Sequence, residues 1–104
     1  MRALPLQFIR DATMPKYFFH VRDGKDVLLD PEGVQLAPGA VAGYALRAAR
    51  DCIAHEAKTG RIDMDQRVEV EDEAGTIVHR LEFGDAVQLI EPPRLPLEAL
   101  RPFQ

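Results

Sequence analysis

Three histidines and one cysteine are the side chains here best suited to holding a metal or attacking an electrophile, and none is placed for it. His20, His55 and His79 fall on three different predicted elements with no zinc-type spacing, and Cys52 has no second cysteine to join it. The plainer reading of His20 and His79 is a half-buried sheet histidine. Cys52 sits on the apolar stripe of a predicted helix, where no basic neighbour would favour the thiolate that nucleophilic attack requires. Asp51 and His55, four residues apart on the exposed face of that helix, make a surface pair of small energetic value. There is no glycine-rich phosphate loop, no G-x-S-x-G and no DNA-reading motif. Acid–base catalysis needs carboxylates positioned in a cleft, whereas the carboxylates here concentrate in a hairpin. No catalytic residue, cofactor or metal is therefore assigned. A small enzyme using His20 with Arg22 and Asp23 ranks third among the functional readings.

Charge placement says more than net charge. The 104 residues carry 13 basic and 17 acidic side chains, a net of −4, which counts against a dedicated nucleic-acid binder. Between Asp63 and Glu73 there are six acids (Asp63, Asp65, Glu69, Glu71, Asp72, Glu73) and one base (Arg67), a local net of −5. The plain expectation is a solvated hairpin edge kept soluble by charge; the functional one is an acidic docking face for a basic partner. Arg47, Arg50 and Lys58 make the outer helix face mildly basic.

The elements that must position these residues follow from periodicity. Lys16-Tyr17-Phe18-Phe19-His20-Val21-Arg22 is a strand, with Tyr17, Phe19 and Val21 on one face and Phe18, His20 and Arg22 on the other. Asp23 to Asp26 has turn chemistry, and Val27-Leu28-Leu29 returns as the second strand. Asp30-Pro31-Glu32-Gly33 ends that ladder, and Val34-Gln35-Leu36 continues as extended chain or a short strand. From Ala40 to Thr59 the period is helical, with Ala42, Ala45, Leu46, Ala49, Cys52, Ile53, Glu56 and Ala57 on one stripe. Its start lacks a Ser, Thr or Asp cap, whereas Lys58 and Gly60 suit its end. Gln66 to Asp72 points Val68 and Val70 inward and Arg67, Glu69 and Glu71 outward. Thr76 to Phe83 runs back with Ile77, His79, Leu81 and Phe83 on one face. The order is β-β-α-β-β, an α+β domain with one helix on a small, mostly antiparallel sheet.

Both ends read as appendages: 1–13 as an N-terminal extension, 14–85 as the domain, and 86–104 as a Pro-rich tail still bearing Leu95, Leu97, Leu100 and Phe103. Pro92 to Pro96 has a P-x-x-P spacing, but a stiff tail along the domain is the commoner outcome. Apolar content of 46% with 29% charged residues is ordinary globular composition. No span approaches the ~20 apolar residues of a transmembrane helix, and a lone cysteine implies a reducing compartment. A soluble, cytoplasmic protein is expected.

Met14-Pro15-Lys16-Tyr17-Phe18-Phe19-His20-Val21-Arg22-Asp23-Gly24 resembles the opening of a bacterial family of small proteins classed as a domain of unknown function. Its pattern M-P-x-Y-[FY]-F-H is followed by D-x-E-G-x-x-L, here Asp30 to Leu36, then a helix, then a hairpin around V-x-D-E-x-G, here Val70 to Gly75. The resemblance covers Met14 to Asp85 and implies the α+β fold but no activity. It also implies Met14 as the usual start; the departure is Pro38-Gly39, where an Asp-containing helix cap is typical. A weaker similarity to HicB-type antitoxins covers Leu28 to Glu56.

The leading expectation is a non-enzymatic interaction or regulatory module, a homodimer or a subunit of a complex, with no nucleic-acid, membrane or small-molecule partner. With Tyr17, Phe19 and Val21 facing the helix, Phe18 lies on the opposite sheet face and needs cover from the tail or a second copy. The candidate partner surface is Phe18, His20, Arg22, Glu69, Glu71, Asp72, Glu73, Leu95 and Leu97. The alternative is an antitoxin-like inhibitor presenting its acidic hairpin to a basic partner.

Overall fold

The computed structural model describes residues 14–93. The aromatic and β-branched run forms β1 (Lys16–Arg22), followed by β2 (Val27–Leu28) and β3 (Val34–Gln35). A 3₁₀ turn at Pro38–Ala40 leads into helix α1 (Val41–Thr59). The second hairpin is β4 (Arg67–Asp72) and β5 (Ile77–Glu82), closed by a four-residue helix, α2 (Phe83–Ala86). This is the α+β arrangement of one main helix on one sheet, and every strand pairing is antiparallel.

The strand order is β2-β1-β4-β5, with β3 also on β1. Both β2 and β3 pair with the same side of β1: Val21↔Leu28 and Arg22↔Val27 at one end, Lys16↔Gln35 and Tyr17↔Val34 at the other. Together they form one interrupted edge strand. Leu29 to Gly33 is the interruption, because Pro31 supplies no amide donor. The acidic strand β4 is not an edge, as a solvated hairpin would require; it lies inside the sheet between β1 and β5.

The core lies between the sheet and α1. Val41, Ala45, Ala49 and Ile53 face Tyr17, Phe19, Val68 and Val70. The two alanines are wholly buried, and their small size lets the helix approach closely. This stripe runs at a spacing of four from Val41, so Ala42 and Ala57, expected inward, are exposed and Cys52 is half-buried. Pro38, placed in the first turn where a missing amide costs nothing, starts the 3₁₀ segment that stands in for the absent side-chain cap. Gly60 ends the helix with a positive φ of 89° and donates its N–H to Ala57 O at 3.1 Å.

The closing helix was not legible as an element. Phe83 is the largest fully buried side chain; its N–H donates to Gln66 O at 2.9 Å, and Arg50 Nε donates to Ala86 O at 2.8 Å. These contacts fasten the end of β5 and α2 to the start of β4 and to the main helix.

Candidate functional site

Two surfaces of the domain concentrate reactive or exposed side chains. The first is the sheet face opposite α1. Its centre is Glu69, only 5% exposed although no element lies over it among the described residues. Three guanidinium groups cover it: Arg22 Nε at 2.8 Å from Oε1, and Arg67 Nε at 3.0 Å and Arg80 Nε at 3.2 Å from Oε2. The register places these side chains together, since Glu69 pairs with His20 on β1 and Arg80 on β5, while Arg22 opposes Arg67. Hydrogen bonding by Arg67, reinforced by Arg22, outweighs desolvation and holds the Glu69 carboxyl below its ordinary range.

Beside that hub His20, 8% exposed, has both ring nitrogens engaged. Nδ1 accepts the Asp30 N–H at 3.0 Å, so in the neutral ring Nε2 carries the proton and faces Glu71 Oε2 at 3.3 Å. Asp30 then ties the loop down: Oδ2 accepts the Phe19 N–H and Oδ1 the Gly33 N–H, each at 3.1 Å. Phe18 is half-buried, stacked at 6.5 Å on His20 and in contact range of Gly33. Gly33 has φ 71°, and a Cβ there would stand 2.8 Å from Tyr17 O and 2.9 Å from the Phe18 ring. Its own loop thus supplies part of the cover that Phe18 needs.

The second surface is a groove of about 570 Å³ between the β1–β2 hairpin and the later turns of α1. Its apolar lining is Val21, Val27, Leu28 and Cys52, and its acids are Asp23, Asp26, Asp51 and Glu56. Val21 belongs to the helix-facing row of β1, and Leu28 is its direct partner, so both present to the same side of the sheet. Yet Leu28 is 71% exposed. Strand spacing makes a four-strand sheet about 15 Å across, while one helix covers about 10 Å. The helix α1 lies over β4, β5 and β1, and β2 is left open.

The groove is not arranged for catalysis by its thiol. Burial, then the Glu56 and Asp51 carboxylates, push the Cys52 thiol up, away from the reactive thiolate. Glu56 accepts from Gln66 Nε2 and from the Asp63 N–H, both at 2.8 Å, and these bonds, Gln66 first, keep its carboxyl low. Asp23 is held low by the Asp26 and Lys25 amides. Both carboxylates therefore keep their charge to lower pH than free ones do. Among the described residues no group of three metal-ligating side chains converges, and no helix is long and apolar enough to cross a membrane.

The model of a family described as a domain of unknown function, DUF6894, matches residues 16–84. The chain belongs to the DUF6894 family. No curated protein and no solved structure matches it. The match does not show the HicB-type likeness. In this DUF6894 domain the D-x-E-G segment serves the structure, as Asp30 caps the backbone exposed where the edge strand breaks and Gly33 fits beneath Phe18.

Of the residues singled out from sequence, Phe18, His20, Arg22, Glu69 and Glu71 come together on the helix-free face. Asp72 and Glu73 lie at the hairpin end, where they hold backbone: Asp72 Oδ1 accepts from Ala74 and Thr76, and Glu73 Oε1 accepts the Lys16 N–H. Leu95 and Leu97 fall outside the described residues. A register shift at Val70/Glu71 sets Ile77, expected on one face with His79, Leu81 and Phe83, opposite Glu71. His20 and His79 are not neighbours, because His79 opposes Val70 in the core-facing row. The groove itself was missed, although Val27-Leu28-Leu29, an apolar run on a strand too short to be central, was a signal for it.

Proposed function

We propose that this DUF6894 domain is a non-enzymatic protein-interaction module whose working surface is the groove between β2 and α1, and that its occupant is a helix of a partner protein. The observation behind this is Leu28: a leucine in the helix-facing register of the sheet, 71% exposed because α1 stops short of it. Val21, its partner in the same row, and the neighbouring Val27 line the groove beside it. A second helix laid beside α1 at the usual 8–10 Å interaxial distance would cover β2 and complete the layer. The helix-free face is the weaker candidate, since Glu69, His20 and Phe18 are already covered by side chains and a loop of the same chain.

The test is native co-purification of the full chain compared with Leu28→Asp, each paired with mass by light scattering. A stoichiometric partner held by the native protein and released by the substitution supports the proposal, whereas a second copy of the chain released in the same way keeps the groove and overturns the occupant. Retention unaffected by Leu28→Asp but lost in Phe18→Asp moves the surface to the other face and overturns the proposal.

A further inference from the structure

The lining of the groove specifies the chemistry of its occupant as well as its shape. Four carboxylates, from Asp23, Asp26, Asp51 and Glu56, surround Val21, Val27, Leu28 and Cys52, and no lysine or arginine lines the groove. His55 is the one lining side chain able to turn cationic, and Lys25 stands beside Asp23 in the turn above. From this we infer that the groove selects a cationic amphipathic helix, with an apolar stripe seated on Leu28 and Val21 and Lys or Arg side chains flanking it toward the Asp26 and Asp51 sides. The inference rests on the groove being the working surface and adds the charge of its ligand.

The geometry favours a helix over an added strand. The β2 strand offers only Val27 and Leu28 for main-chain pairing, too little ladder for strand addition. The strip of sheet left open beside α1, about 5 Å wide, seats one side of a helix that packs against α1 as well. The sequence of the chain's own tail is a poor match, because prolines at 92, 93, 96 and 102 interrupt its apolar residues. Rim carboxylates sit close enough to a seated helix to act within the ~8 Å screening length at physiological salt. Charge complementarity of this kind speeds encounter and sets partner choice more than it adds affinity.

Two synthetic amphipathic helices provide the probe, one of leucine and lysine and one of leucine and glutamate, titrated onto the full chain by fluorescence anisotropy at low and high salt. The lysine peptide is expected to bind, to weaken about tenfold with Leu28→Asp, and to weaken about fivefold with Asp26→Asn/Asp51→Asn, with the latter loss shrinking in high salt. Asp23 and Glu56 are left intact because they hold local backbone. Equal binding of both peptides, or no response to the double substitution, overturns the cationic ligand. If that binding is still lost in Leu28→Asp, the groove survives as the surface. Binding of the lysine peptide that ignores Leu28→Asp, or no binding at millimolar peptide, overturns both. Backbone amide dispersion of each variant separates lost binding from lost folding.

Discussion

The helix-free sheet face and the β2 groove are built from similar materials, carboxylates beside apolar side chains, and use them in opposite ways. On the sheet face three arginines surround one buried glutamate, and His20 divides its two nitrogens between Asp30 and Glu71. Among the described residues no buried side-chain polar atom is left without a partner. In the groove the carboxylates ring an apolar floor that nothing in the described chain covers. A local charge count ranks the β4–β5 hairpin as the place to dock a partner; the hydrogen bonds show that much of its charge is consumed internally. A surface already satisfied by its own chain gains little from a partner, whereas an open one gains the whole apolar burial.

That contrast predicts stability effects on one side and binding effects on the other. Glu69→Ala should be the most damaging polar change, costing about 2–3 kcal/mol in urea unfolding because it leaves three guanidinium groups crowded without their anion. Its carboxyl lies low in the folded state, so its contribution is present above the unfolded value of about 4.3 and disappears as pH falls through the folded one. Glu69→Gln should accordingly flatten the acid limb of the stability profile. An unchanged acid limb would mean that the hub is decorative.

Gly33→Ala follows at about 2 kcal/mol, from a positive φ together with the approach of the new methyl to Tyr17 O. Asp30→Ala removes two backbone caps and should cost about 1–2 kcal/mol, with faster amide exchange confined to Phe19 and Gly33. Leu28→Asp should change stability by no more than about 0.5 kcal/mol, since the side chain is already in water. A large loss there would show that Leu28 is covered and would erase the difference between the two regions.

The helix, both hairpins and the alternation of β1 were legible in the sequence because period and turn chemistry are local signals. Strand order was not, and it decided the most: β4 alternates like an edge strand, yet its outward Glu69 is buried because β1 and β5 each bring an arginine across it. The Phe83–Ala86 turn escaped notice because four residues carry no period. Leu28 read as an ordinary strand residue, because exposure at that position depends on how far a helix reaches across the sheet, and that is set by packing rather than by neighbours in sequence.

Amide chemical-shift mapping of the full chain on addition of the leucine–lysine helix tests the groove as the docking surface. The shifts should cluster at Val21, Asp26, Val27, Leu28, Cys52 and His55, with Phe18, His20, Glu69 and Arg80 unmoved. Shifts centred on Phe18, His20 and Glu69, with Leu28 silent, would contradict it.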